Sequence, residues 1–199
     1  MELDRRLIGD RIDTIKVELK AVERTRALHR KGRDRVPYPI VALVGYTNAG
    51  KTTLFNRLTK SDATASDALF VTLDPLVRRL RLPDERELLV SDTVGFIDRL
   101  PHALVAAFRA TLEEVVEADL ILHVRDIAHD ESETQARDVE KVLGDLGIDT
   151  VHADTRILEV WNKVDLIHPE RLAELQLEAL RRENPPVLVS AASGTGLDR

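Results

Sequence analysis

The 199-residue chain contains no cysteine. That excludes a disulfide framework, a thiol nucleophile and a cysteine-built zinc site, and it fits a reducing compartment, for which cytoplasm is the expectation. No run approaches the roughly 18 apolar residues that a membrane-spanning helix needs, and the opening Met1-Glu2-Leu3-Asp4-Arg5-Arg6 lacks an apolar signal region. No membrane partner is expected. Internal repeats and low-complexity tracts are missing as well. With 43% apolar and 32% charged residues, the composition suits one soluble globular domain with a small extension.

What is present is unevenly placed. Residues 1–35 hold eleven Lys/Arg against seven Asp/Glu, so this segment carries +4 of a formal charge of −6 and the remainder carries −10. Any nucleic-acid contact would therefore fall in the first segment, with a solvated helix face as the alternative. Leu3, Leu7, Ile8, Ile12, Ile15, Leu19 and Val22 recur every three or four residues, and Gly32 and Pro37 supply a stop. One long amphipathic helix is predicted, and residues 1–36 form its domain.

From Pro39 the pattern changes to short apolar runs alternating with helical segments. Strands are predicted at 40–44, 87–90, 120–124, 157–161 and 187–189, and helices at about 51–59, 103–117, 131–146 and 169–183. This alternation predicts an α/β domain over 37–199, with a mostly parallel sheet flanked by helices. Residues 76–82, followed by Pro83-Asp84, suggest an antiparallel edge hairpin.

Gly45-Tyr46-Thr47-Asn48-Ala49-Gly50-Lys51-Thr52 lies between the first strand and the first helix of that domain, which is where a phosphate loop must lie. Its glycines let successive N–H groups turn toward a β-phosphate. Lys51 can bridge β and γ oxygens, and the hydroxyl of Thr52 can ligate Mg2+. Thr53 completes the loop's nucleotide-binding set. Asn162-Lys163-Val164-Asp165 follows the fourth of the predicted strands. There the Asp165 carboxylate can accept from guanine N1–H and the exocyclic amine, a donor pair adenine lacks, and sites of this kind discriminate by roughly 10⁴ to 10⁵. Lys163 would lie along the base, and Asn162 would tie this loop to the phosphate loop. Ser190-Ala191-Ala192 would back the guanine through a backbone N–H.

Asp92-Thr93-Val94-Gly95 supplies an Asp for the Mg2+ shell and a Gly whose N–H can meet the γ-phosphate. Thr72, within Phe70-Val71-Thr72-Leu73-Asp74-Pro75, can complete the Mg2+ coordination only when that phosphate is present, so the two segments are the expected switches. Lys51, Thr72 and Gly95 are the candidate catalytic residues, and Thr52, Thr72 and Asp92 the candidate metal ligands. Together the motifs predict a protein that binds GTP and hydrolyses it to GDP and phosphate.

With these elements in order, the chain resembles the translational GTPases related to Era and Obg, and within them the HflX family. The matches are Gly45-Tyr46-Thr47-Asn48-Ala49-Gly50-Lys51, Thr72-Leu73-Asp74-Pro75, Asp92-Thr93-Val94-Gly95-Phe96-Ile97 and Leu100-Pro101-His102 running into Ala106-Phe108-Arg109-Ala110-Thr111-Leu112-Glu113-Glu114, the last two being more distinctive than a generic GTPase motif. The resemblance implies a ribosome-associated factor that meets chiefly the large subunit and acts in splitting or rescuing stalled ribosomes. It also implies a piece of a longer protein. Residues 1–36 would be the tail of a helical linker, the family's N-terminal domain would be missing, and the chain would stop where the last helix of a GTPase domain begins. A monomer is expected, with no DNA partner.

Phe96 stands where the best-known small GTPases carry a water-orienting glutamine, so intrinsic hydrolysis should be slow. That feature keeps a second reading alive, a nucleotide-gated binding module with very little hydrolysis. Asn48 sits where potassium-stimulated relatives use an asparagine as a K+ ligand, or it merely tolerates the turn. The cluster Arg24, Arg26, Arg30, Lys31, Arg33 and Arg35 could meet RNA phosphates or simply favour a helix C-terminus. His102, His123, His129 and His152 lack metal-ligand spacing. Arg78 or Arg79 could supply charge in cis or stay solvated.

Overall fold

The computed structural model describes residues 38–61, 76–96, 112, 114–150 and 156–197. The expected N-terminal helix, Thr72 with its segment, and most of the helix expected over 103–117 lie outside the described residues.

Short apolar runs become strands because each can be covered on both faces. β1 (Ile40–Val44) is followed by α1 (Lys51–Thr59), β2 (Leu76–Arg81), β3 (Glu87–Asp92) and β4 (Leu120–Asp126). Then come α2 (Ser132–Asp145), β5 (Ile157–Asn162), a 3₁₀ turn (Val164–Leu166), α3 (Pro169–Arg181) and β6 (Val187–Leu188). They form one six-stranded sheet in the order β2-β3-β1-β4-β5-β6. All neighbours are parallel except β2 and β3, as expected for a pair joined by a tight turn. That turn is closed by Leu82 N–H donating to the Arg86 carbonyl at 2.8 Å, and Glu85 takes a left-handed φ of 67° within it.

Alternation along the strands divides the core. Ala42, Val44 and Ile121 face one side, where they pack with Leu112, Val115 and the α2 residues Val139 and Leu143. Leu43, Val124 and Val160 face the other and meet Leu54 and Phe55 of α1. Leu54 and Phe55 are 2% and 1% exposed, and burying each contributes about 1.5–3 kcal/mol. Pro169 opens α3, whose Leu175 and Ala179 cover Trp161. β1 lies between β3 and β4, so the chain departs to opposite sides of it, and a crevice opens at its carboxyl end.

Three strands run past the predicted ends, because ladder pairing continues through polar residues. Asp92 pairs with Leu43 and with Leu76, and Asp126 pairs with Asn162. These groups thus stand on the rigid sheet rather than in loops. β6 ends early, since the Ser190 N–H donates to the Thr195 carbonyl at 2.9 Å and folds the chain into a turn.

Beneath α2 and α3 the sheet carries a charged cluster. Arg125 donates to Glu159 at 2.8 Å and to Glu133, while the Trp161 indole N–H donates to Glu159 at 2.7 Å. The guanidiniums of Arg125 and Arg182 lie 5.8 Å and 4.9 Å from the Trp161 ring. His123, on the same face, is 2% exposed, and burial pushes its pKa down from 6.5 to about 4 despite the nearby Glu159 carboxylate. It is a neutral core histidine at neutral pH. A lowered folded pKa gives a stability contribution that is complete above 6.5 and lost as pH falls through about 4. Urea titrations between pH 7 and 4 should show a shallower loss of stability for His123→Phe than for the parent; equal slopes would remove His123 as the acid-sensitive group.

Candidate functional site

The crevice gathers the sequence motifs. Gly45, with φ 151°, continues β1 into the phosphate loop, and a Cβ there would lie 2.1 Å from the Val124 carbonyl oxygen. Only glycine permits that approach. Asn48 adopts a left-handed φ of 60° and is exposed, and Gly50, at φ 91°, caps α1. Tyr46 bridges to Phe96, with the Thr47 N–H donating to the Phe96 carbonyl at 2.8 Å and the Phe96 N–H to the Gly45 carbonyl at 3.1 Å. The loop is thereby sewn to the segment after β3. Thr93 anchors that segment by donating its hydroxyl to the Leu43 carbonyl at 2.6 Å.

Lys51 is buried, and its ammonium donates to the carbonyls of Gly45 at 3.0 Å and Tyr46 at 2.8 Å. Burial lowers its pKa from 10.5 to about 8, with the Asp92 carboxylate partly opposing. A Cβ on Gly95 would lie 3.0 Å from this Nζ and 2.9 Å from Thr47 Cα, so Gly95 borders the loop as closely as a residue can. The Thr52 hydroxyl donates to Asp92 Oδ2 at 2.8 Å. Hydroxyl and carboxylate oxygens are the hard donors Mg2+ takes. Among the described residues no group of three or more His, Cys, Asp or Glu is gathered that could hold a metal ion.

Asn162 spans two loops. Its amide donates to the Ala49 carbonyl at 2.8 Å, and its Oδ1 accepts from the Ala191 N–H at 2.9 Å. A Cβ on Gly50 would meet that amide at 2.3 Å. Lys163 takes a left-handed φ of 67° and pairs with Asp126 at 2.7 Å. Asp165 stands in the 3₁₀ turn and is exposed, open to any base that would cover it. Ser190 and Ala191 are buried, whereas Ala192 is exposed. Thr53 is half-buried in α1, and Thr72 lies outside the described residues.

Two residues escaped the sequence reading. Asp126 ends an apolar strand at the carboxyl edge, a placement that could have marked it. Arg57, which donates to the carbonyls of Ala191 and Ala192, reads in sequence as an ordinary cation near a helix C-terminus. Phe96 is 1% exposed and packs with Leu112 and Val115, so its ring belongs to the core.

A parallel sheet whose β1 runs through a phosphate loop into α1, with an Asn-Lys-x-Asp turn tied to that loop, defines a P-loop nucleotide-binding domain of the GTPase type. The chain belongs to the family described as 50S ribosome-binding GTPase, whose family model matches residues 40–163. It is 49% identical over 198 residues to the GTPase HflX of Magnetococcus marinus, covering 100% of this chain and 44% of that protein. To the GTPase HflX of Escherichia coli it is 44% identical over 199 residues, covering 99% and 45%. The resemblance to HflX that the motifs carried is borne out along the whole chain, which spans less than half the length of these relatives. A solved structure of a GTP-binding protein from Sulfolobus solfataricus in complex with GDP is 29% identical with a TM-score of 0.62, covering 88% of this chain and 54% of that one. No helix among the described residues is long and apolar enough to cross a membrane.

Proposed function

We propose that the chain binds GTP with Mg2+, hydrolyses it to GDP and phosphate, and works as a ribosome-associated factor that meets the large subunit and acts in splitting or rescue. The single observation that carries the nucleotide part is the Asn162 bridge between Ala49 and Ala191, which holds a phosphate loop and a guanine-type turn at one sheet edge. In this reading residues 45–53 wrap the phosphates, and Lys51 neutralises charge developing between β and γ oxygens. The Gly95 N–H meets the γ-phosphate, and Thr72 closes over it. Thr52, Thr72 and Asp92 would hold Mg2+, which would supply further positive charge to neutralise the phosphates. Asp165 reads guanine N1–H and the amine, Lys163 lies along the base, and the Ser190–Ala192 turn backs it. The ribosomal part is supported by the family and the HflX relatives. Residues 1–36 serve as the end of a helical linker, and the protein acts as a cytoplasmic monomer.

Competition of GTP and ATP for the parent chain tests the nucleotide assignment; equal affinities would overturn it. Co-sedimentation with large subunits in the GTP but not the GDP form tests the partner, and absence of binding in both forms would reject it. The buried Phe96 favours one other reading, a nucleotide-gated binding module, because its ring is held in the core and cannot orient an attacking water. Single-turnover hydrolysis with and without ribosomes separates the two. Asn48, exposed and held at positive φ in the loop, is proposed as a K+ ligand. Hydrolysis should then run faster in potassium than in sodium, and Asn48→Ala should erase the difference; equal parental rates in both salts would dismiss it.

A further inference from the structure

The Ser190–Thr195 turn shows which of its N–H groups is left to meet a ligand, and what aims it. Ser190 N–H donates to the Thr195 carbonyl at 2.9 Å, and Ala191 N–H to Asn162 Oδ1 at 2.9 Å. Ser193 N–H donates to Ser190 Oγ at 3.0 Å, and Gly194 N–H to the Ser190 carbonyl at 2.8 Å. The Ala192 N–H has no partner among the described residues, and Ala192 is exposed. In a planar trans peptide the C=O of one residue and the N–H of the next point in opposite directions. Whatever holds the Ala191 carbonyl therefore sets the direction of the Ala192 N–H.

That holder is Arg57. Its Nε donates to the Ala191 carbonyl at 3.3 Å and its Nη2 to the Ala192 carbonyl at 2.6 Å. Gly194, with φ 89°, leaves room for it, since a Cβ there would lie 3.3 Å from Nη2. The rigid guanidinium fork grips two successive carbonyls in a fixed relative geometry that a flexible ammonium does not impose. Arg57 stands in the last turn of α1, the helix that begins with Lys51, so it joins the phosphate-loop helix to the base-side turn.

We propose that Arg57 is a positioning residue for base recognition, turning the Ala191–Ala192 peptide so that the Ala192 N–H donates to the 6-oxo group of a guanine nucleotide. This rests on the guanine reading above. The probes are GDP and 6-thio-GDP, which keep the same N1–H and amine donors but differ in the acceptor that meets Ala192. The full chain should bind GDP more tightly than 6-thio-GDP. Arg57→Ala should weaken GDP about three- to tenfold, with roughly 1.4 kcal/mol per tenfold, leave 6-thio-GDP nearly unchanged, and so shrink the ratio between them. Arg57→Lys should retain part of the ratio. A loss that merely loosened the fold would weaken both ligands alike. Equal weakening of the two, or an unchanged ratio in Arg57→Ala and Arg57→Lys, overturns the role of Arg57 while a parental preference for GDP over ADP leaves the guanine reading standing. A parent that binds ADP as well as GDP overturns both. Should the alanine variant fold poorly, Arg57→Gln, which keeps a polar donor but neither the reach nor the fork, carries the same comparison.

Discussion

Lys51→Ala is expected to weaken GTP binding by two orders of magnitude or more. The parent holds an ammonium in a buried position where the carbonyls of Gly45 and Tyr46 accept from it at hydrogen-bond distance. Asp92 is the charge that partly compensates it. A phosphate arriving there gains a desolvated cation already aimed from the loop. Removing one partner of a buried ion pair costs about 3–5 kcal/mol, and roughly 1.4 kcal/mol is tenfold in affinity. The depressed pKa adds a pH signature. A bound phosphate raises the pKa of Lys51, so above about pH 8 binding must take up a proton, and parental affinity should fall as pH rises from there. Stability of the free chain moves the other way. Below about 8 both folded and unfolded chains carry the charge and the burial penalty is complete; between 8 and 10.5 folding relieves it, so stability rises. The variant should lack both trends. Isothermal titration with GTP from pH 7 to 9.5 measures the first, and parental affinity in Lys51→Ala would remove Lys51 from the phosphate site.

The residues that were legible in the sequence are those whose role is fixed by local backbone chemistry. Gly45, Gly50 and Lys51 follow an apolar strand and open a helix, so strand, turn and helix N-terminus predict one another. Asn162 was readable as a tie because its motif must stand beside the phosphate loop, and its bonds to Ala49 and Ala191 make that tie in both directions. The edge hairpin was readable from Pro83-Asp84 and the alternation of Leu76–Leu82. What escaped depends on distant partners. Arg57 and the carbonyls it grips are separated by more than 130 positions, and no local pattern distinguishes that guanidinium from a solvated one. The pairing of Asp126 with Lys163 requires knowing that β4 and β5 are neighbours. The ends of β3, β4 and β5 were placed short because Asp92, Asp126 and Asn162 are poor strand formers. Ladder hydrogen bonds outweigh that preference, and the crevice gains its polar groups on fixed backbone.

Asp165→Asn is expected to exchange a preference for guanine for one for xanthine. In the 3₁₀ turn after the left-handed Lys163, the Asp165 carboxylate is exposed, so without a base it is hydrated at no penalty. A base that stacks over the turn removes that water, and from then on its edge must satisfy the carboxylate. Guanine offers N1–H and the exocyclic amine, both donors to an acceptor-only group. Adenine offers no such pair and leaves the charge unsatisfied, which is the source of discrimination. Asparagine places an NH₂ where one carboxylate oxygen stood, so the guanine amine meets a donor, whereas xanthine presents a carbonyl there and can accept. A mispaired buried polar group costs about 1–3 kcal/mol, more for a charged one. Because the turn is open before the base arrives, the lower half of that range applies, or about five- to thirtyfold at roughly 1.4 kcal/mol per decade. Competition of GTP, XTP and ATP on parent and variant reads it directly. The parent should rank GTP above ATP, and Asp165→Asn should rank XTP above GTP while ATP stays weak. A variant that keeps its full preference for GTP over XTP would mean that Asp165 does not read the base.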